Sequence, residues 1–382
     1  MSRDANEVLP SNQTTNPKGE HMSNYTRRLP SGHSRRRWGT LAAATALAAS
    51  GLAASTAAGA STAPTVPSQP AGTEAEATVD LGTGPGGSLP GAGIDISFIQ
   101  GVIGDNFYIS MECGVQDAAA EFGASVNVQG PDAFDATLQN PIIDAVVASK
   151  PDAILVAPND VEASAGPLQR AQDAGIQVIL VDTQVNDETI GASRIASDNF
   201  QGGVMAADAL AALIDETGTV MVVNVKPGIS TTDPRQAGFE QEIATYPNIE
   251  YIGTEFSNNE PAKAAEIITA AVAAHPDLNG VFAANLFSAQ GTATGVQQAN
   301  ADVQVVGFDA GPAQVDQLKA GDVQALVVQK PYDIGYQGVE QAILAVNGGA
   351  VTPQISTDFV VATPDNLDDP DISKFLYKAN CD

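Results

Sequence analysis

Val178-Ile-Leu-Val-Asp182-Thr183 is a short, continuously apolar run closed by an acid and a hydroxyl. Such a run fits a strand in a parallel sheet that is covered on both faces. An apolar run ending on a ligand-type side chain recurs in Arg194-Ile-Ala-Ser-Asp198-Asn199 and Val305-Val-Gly-Phe-Asp309. Open parallel sheets hold small molecules outside the carboxyl ends of their strands. These acids and amides therefore stand where a small molecule would lie.

Working outward, the apolar runs predict strands at 94–99, 125–128, 153–157, 178–181, 220–223, 249–252, 280–283, 303–306 and 325–328. Amphipathic stretches between them predict helices near 108–122, 138–148, 163–174, 202–214, 235–245, 261–274, 289–299 and 334–347. The alternation makes the fold α/β. So many strands exceed one doubly wound sheet of this length, and two similar parallel-sheet lobes account for them better. The segment 194–199 lies where the chain would cross between lobes, with further crossings at Lys330-Pro331 and near 356–359. Three crossings form a hinge, with a ligand cleft between the lobes. The expected organisation is an export leader over 1–60 and a flexible linker over 61–93. A first lobe follows, from 94–197 plus 331–357, and a second from 198–330 plus 358–364. A tail at 365–382 returns to the first lobe.

The leader expectation rests on Arg35-Arg36-Arg37-Trp38 followed by an Ala-rich run of small residues, the layout of a secretory signal. Ser34-Arg-Arg-Arg-Trp38 is similar to a twin-arginine signal, and no Cys follows the run to carry a lipid. The chain is therefore expected outside the cytoplasm, in the periplasm or cell envelope. From residue 61 onward 10 basic face 42 acidic side chains, a formal charge of −32. That surface repels nucleic acid and anionic lipid. Cys113 and Cys381 are the only cysteines, and an oxidising compartment favours one disulfide over two free thiols.

Catalysis finds little footing. His275 is the single histidine beyond the leader, with no flanking nucleophile motif, and no phosphate-binding loop follows a strand. Cys113 has no His or Cys at ligand spacing, so neither metal nor cofactor is expected. Carboxylate pairs alone leave a glycoside-acting enzyme as a remote alternative.

Taken together, Asn106-Phe107-Tyr108, Val181-Asp182, Ile195-Ala-Ser-Asp-Asn199, Ala284-Asn285, Val306-Gly-Phe-Asp309 and Val328-Gln329 resemble the type I periplasmic binding proteins. The likeness runs over roughly 94–362 and is strongest to the ribose-binding branch that serves ABC importers. It implies a monomeric receptor that closes over a small sugar or polyol and docks on a permease. The implied pocket is Asp105, Phe107, Tyr108, Asp182 and Thr183 from the first lobe, with Asp233, Asn285, Asp309 and Gln329 from the second. Asp198 is read as a helix cap or hinge residue and Lys330 as a rim or hinge residue. Asp182→Ala or Asp309→Ala is expected to abolish binding with little loss of fold.

Two departures bear on the ligand. Thr183 stands where ribose receptors have Arg, and Thr231-Thr-Asp233-Pro-Arg235 replaces a loop that carries another. Arg235 aligns with a neighbouring family arginine expected to be structural, and Asp233 offers an acceptor in its place. The replacements point away from ribose, towards other aldoses, polyols or an amine-bearing sugar. A furanone-derived signal or a chemosensory role is the alternative.

Overall fold

A computed structural model describes residues 81–84 and 87–381. The expected leader and most of the expected linker lie outside the described residues. Where the linker was to end, Gly91 N–H instead donates to Phe122 O and Asn347 Nδ2 to Pro90 O, tying 90–93 to the first lobe.

In that lobe β1 (Asp95–Ile99), α1 (Asn106–Phe122), β2 (Ser125–Gln129), α2 (Ala136–Ser149), β3 (Ala153–Val156), α3 (Ala165–Asp173), β4 (Gln177–Val181) and β5 (Ser193–Ser197) alternate. The second lobe repeats the pattern. It holds α4 (Asn199–Leu213), β6 (Gly218–Asn224), α5 (Thr232–Ile243), β7 (Ile249–Phe256), α6 (Pro261–Ala274), β8 (Leu278–Ala283), α7 (Leu286–Ala299), β9 (Gln304–Phe308), α8 (Pro312–Ala320) and β10 (Ala325–Val328). The chain then returns through α9 (Pro331–Val346) and β11 (Gln354–Thr357), and crosses again to β12 (Val360–Ala362) and α10 (Pro370–Ser373).

One sheet has the order β11-β5-β4-β3-β1-β2 and the other β12-β10-β9-β8-β6-β7. The pairings are parallel except β10 with β12. Strand order reverses beside β1 in the first sheet and beside β6 in the second, which opens a crevice at the carboxyl ends of each. Strands β3 and β10 are buried along their whole length, as their unbroken apolar runs require. In the second lobe Phe239 and Phe282 stack with centroids 5.1 Å apart under the helices.

The expected crossings are present and bound to one another. Ser197 Oγ lies 3.1 Å from Thr357 Oγ1, Asp198 N–H donates to Thr357 O, and Lys330 pairs with Asp358. Among the described residues no helix is long and apolar enough to cross a membrane.

Candidate functional site

β4 and β9 hold the same place in the two sheets, and each is followed at once by an aspartate with positive φ, 63° at Asp182 and 77° at Asp309. That region is uncommon for a residue with a side chain, and Asp reaches it more readily than most. Both carboxylates are buried and both line a cleft of about 420 Å³, which includes space open to solvent.

From the first lobe the wall takes Asp105, Phe107, Tyr108, Phe134, Asp182 and Thr183. Asp105 caps α1, its Oδ1 accepting from Phe107 N–H at 2.9 Å, so one carboxylate both starts the helix and faces the cleft. Tyr108 hydroxyl donates to Asp182 Oδ2 at 2.8 Å. The second lobe supplies Asn285, Asp309 and Gln329, and also Thr231, Thr232, Arg235 and Asn259. Asn285 caps α7 and donates through Nδ2 to Asn259 Oδ1. Asp309 Oδ2 accepts from Leu286 N–H, while its Oδ1 accepts from Gln329 Nε2 and from the Tyr377 hydroxyl.

Asp105, Asp182 and Asp309 thus share the cleft wall with one guanidinium, which feels the charge of Asp309 and Asp182 without pairing to either. Arg235 is buried, with Nε donating to Asn199 Oδ1 and Nη1 to Ala284 O, and it lies 3.7 Å from the Phe308 ring centroid. Burial pushes the Asp105 carboxyl up to about 7, against the pull of the Phe107 N–H. Burial likewise lifts Asp182 to about 6, opposed by Arg235 and the Tyr108 hydroxyl. Near neutral pH the Asp105 carboxyl can donate a hydrogen bond as well as accept one, whereas Asp182 is mostly ionised and accepts.

Asp233 needs correcting. It does not line the cleft: its Oδ2 accepts from Gly228 N–H at 2.8 Å, and the side chain closes the loop before α5. On a helix Thr231, Thr232 and Arg235 share a face by their three- and four-residue spacing, while a residue at Asp233 turns away from it. Arg235, expected to be structural, does hold Asn199 and Ala284 O and also lines the wall. Asp198 is exposed and caps α4 by accepting from Gln201 N–H. Lys330 sits at the hinge, outside the cleft wall, with its Nζ 4.7 Å from the Phe375 ring centroid.

Tyr377, Phe134 and Asn259 carried no sequence signal, since each reaches the site from a loop or tail that only tertiary contacts place. Asn199, legible in the sequence at a strand end, opens α4 and holds Arg235. The disulfide Cys113–Cys381 is present and fastens the tail to α1.

The model of the periplasmic binding protein domain matches residues 96–350. The chain belongs to this family. The ribose import binding protein of Salmonella typhimurium is 30% identical over 264 residues, 69% of this chain and 88% of that protein. A solved ABC transporter solute-binding protein from Agrobacterium vitis, with α-D-tagatopyranose bound, is 44% identical with a TM-score of 0.74. The match covers 75% of this chain and 99% of the other. A second solute-binding protein from that organism, with D-fucose bound, is 28% identical at a TM-score of 0.72 and covers 74% and 100%.

Proposed function

We propose that this chain is an exported receptor that captures a small neutral monosaccharide between its lobes and delivers it to an ABC-type importer. The observation carrying this reading is the polar inventory of the cleft. Thr183 Oγ1, Thr232 Oγ1 and Gln329 Oε1 are buried in its wall with no hydrogen-bond partner among the described residues. Buried polar groups are costly when unpaired, so a wall of this kind favours a ligand dense in hydroxyls. Asp105, able to donate or accept, and Asp182, an acceptor, suit hydroxyls. Phe107, Tyr108 and Phe134 offer faces to the C–H side of a sugar ring.

The sugars bound by the similar structures set the order of candidates, D-tagatose before D-fucose. Thr183 in place of an arginine argues against ribose. The relatives named above are binding proteins, and capture without conversion fits a site whose carboxylates are held by protein donors. Closure buries the sugar, and the closed form is the state the permease would recognise.

A thermal-shift screen tests the reading with D-tagatose, D-fucose, D-ribose and D-glucosamine. A sugar at 100 times its Kd stabilises the fold by about 2.7 kcal/mol. D-tagatose or D-fucose should raise the melting midpoint clearly more than ribose or the amino sugar. A flat response to all neutral sugars would overturn the reading.

A further inference from the structure

The chain beyond β12 leaves the second lobe, and over two consecutive residues it changes partners. Tyr377 N–H donates to Ala310 O at 3.0 Å and its hydroxyl to Asp309 Oδ1 at 2.8 Å, both on the second lobe. Lys378 N–H donates to Ser110 Oγ at 2.7 Å, and Asn106 Nδ2 donates to Lys378 O at 3.1 Å, both on α1. Three residues on, Cys381 is bonded to Cys113 of the same helix. The tail therefore ties the lobes together beside the cleft, in addition to the three hinge crossings.

Tyr377 is the point of contact with the site. Its ring is buried and meets Phe107 edge-on with centroids 5.7 Å apart. Its hydroxyl shares Asp309 Oδ1 with Gln329 Nε2, and Leu286 N–H holds the other oxygen. With donors on both oxygens, the plane of the Asp309 carboxylate is set before any ligand arrives. Tyr377 is itself absent from the cleft wall, so it acts through Asp309 and Phe107.

We propose that Tyr377, held by the Cys113–Cys381 tether, is a positioning residue of the ligand site, and that sugar affinity depends on the tail being fastened. This rests on the sugar-receptor reading above. Orientation fixed in advance raises affinity because ordering is not left to the binding step.

The test compares the wild-type chain with Tyr377→Phe, Cys381→Ser and the double variant. The probe is whichever of D-tagatose and D-fucose gives the larger thermal shift. Tyr377→Phe keeps the ring against Phe107 and removes only the hydroxyl. Calorimetry should show Kd raised about tenfold, because the Asp309 carboxylate must then be ordered by the binding step. Loss of the bond itself should lower the sugar-free melting midpoint only modestly, since Gln329 Nε2 still holds Oδ1. Cys381→Ser should raise Kd at least as much. The double variant should be no worse than the weaker-binding single variant, because both changes remove one arrangement.

An unchanged Kd in Tyr377→Phe, or losses that multiply in the double variant, would overturn the positioning role. If the wild type binds neither sugar, the sugar reading fails separately. Hydrogen exchange over 305–311 then decides the tether. Faster exchange in Cys381→Ser supports it, and unchanged exchange rejects it.

Discussion

Asp105 carries the clearest pH signature among the site residues. Its carboxyl sits at about 7 in the fold because burial penalises the charged form. Below the ordinary carboxylate value of 3.8 the group is protonated in folded and unfolded chains alike. Between there and about 7 the folded state holds more protons, so its contribution to stability falls as pH rises. Asp105→Asn keeps the cap on Phe107 N–H and cannot ionise. Its stability relative to wild type should rise across that window and level off above it, as urea unfolding at a series of pH values would show. Asp182 and Asp309 are no longer equivalent targets. Asp182→Asn suits a φ of 63° and should weaken sugar binding about a hundredfold while the chain stays folded. Asp309→Ala strips the acceptor from Leu286 N–H, Gln329 and Tyr377, so it should lower the unfolding free energy by about 1–3 kcal/mol as well as abolish binding. The sequence-based expectation that Asp309→Ala would abolish binding with little loss of fold did not foresee those three donors. Most wall residues were legible because they follow strand ends. Asp233 and Arg235 were exchanged because one helical turn separates facing the cleft from facing away.

Elements were legible in proportion to their apolar runs. The nine expected strands are all present, within a few residues at each end. β5 was read as an apolar run at a crossing, and β11 and β12 fell at or beside the last crossing, where Gln354-Ile-Ser-Thr357 is too polar to announce a strand. β11 and β12 lie at sheet edges, where half-buried positions tolerate such side chains, while β5 is paired on both sides, between β11 and β4. α8 was missed between a helix-opening Pro312 and Gly321, nine residues with few apolar positions. Helix pairing depends on glycine at close approaches. In α4 and α5 a Cβ on Gly203 would strike Arg235 O, and one on Gly238 would strike Phe200 O. Because α5 carries Arg235, the spacing of this pair also sets where the guanidinium sits. Gly203→Ala should destabilise by about 1–3 kcal/mol through overpacking. Thermal melts and sugar titration together should show both midpoint and affinity reduced.

At the scale of the molecule, the loop after β6 holds the lobes together across the cleft. Lys226 Nζ donates to Phe134 O at 3.1 Å, Val161 N–H to Gly228 O at 3.2 Å, and Gln184 N–H to Ser230 Oγ at 2.6 Å. Phe134, Val161 and Gln184 belong to the first lobe, and their partners to the second. These contacts form only when the lobes meet, so they favour closure without touching either core. Lys226→Ala should leave the unfolding midpoint of the sugar-free chain nearly unchanged. It should raise Kd severalfold through faster release, measurable by stopped-flow displacement. Unaltered release would mean that the latch is not used.

The amino-acid sequence by itself determined the α/β class, the two lobes, the three crossings and the strand-end aspartates. Those depend on short-range patterns: apolar runs, turn residues and the order of blocks along the chain. Only the tertiary structure decided that Arg235 rather than Asp233 lines the cleft. It also brought Tyr377, 68 residues beyond Asp309, back onto that carboxylate. Contacts at such separation are set by how helices pack and where a disulfide fastens the tail, and no local pattern encodes them.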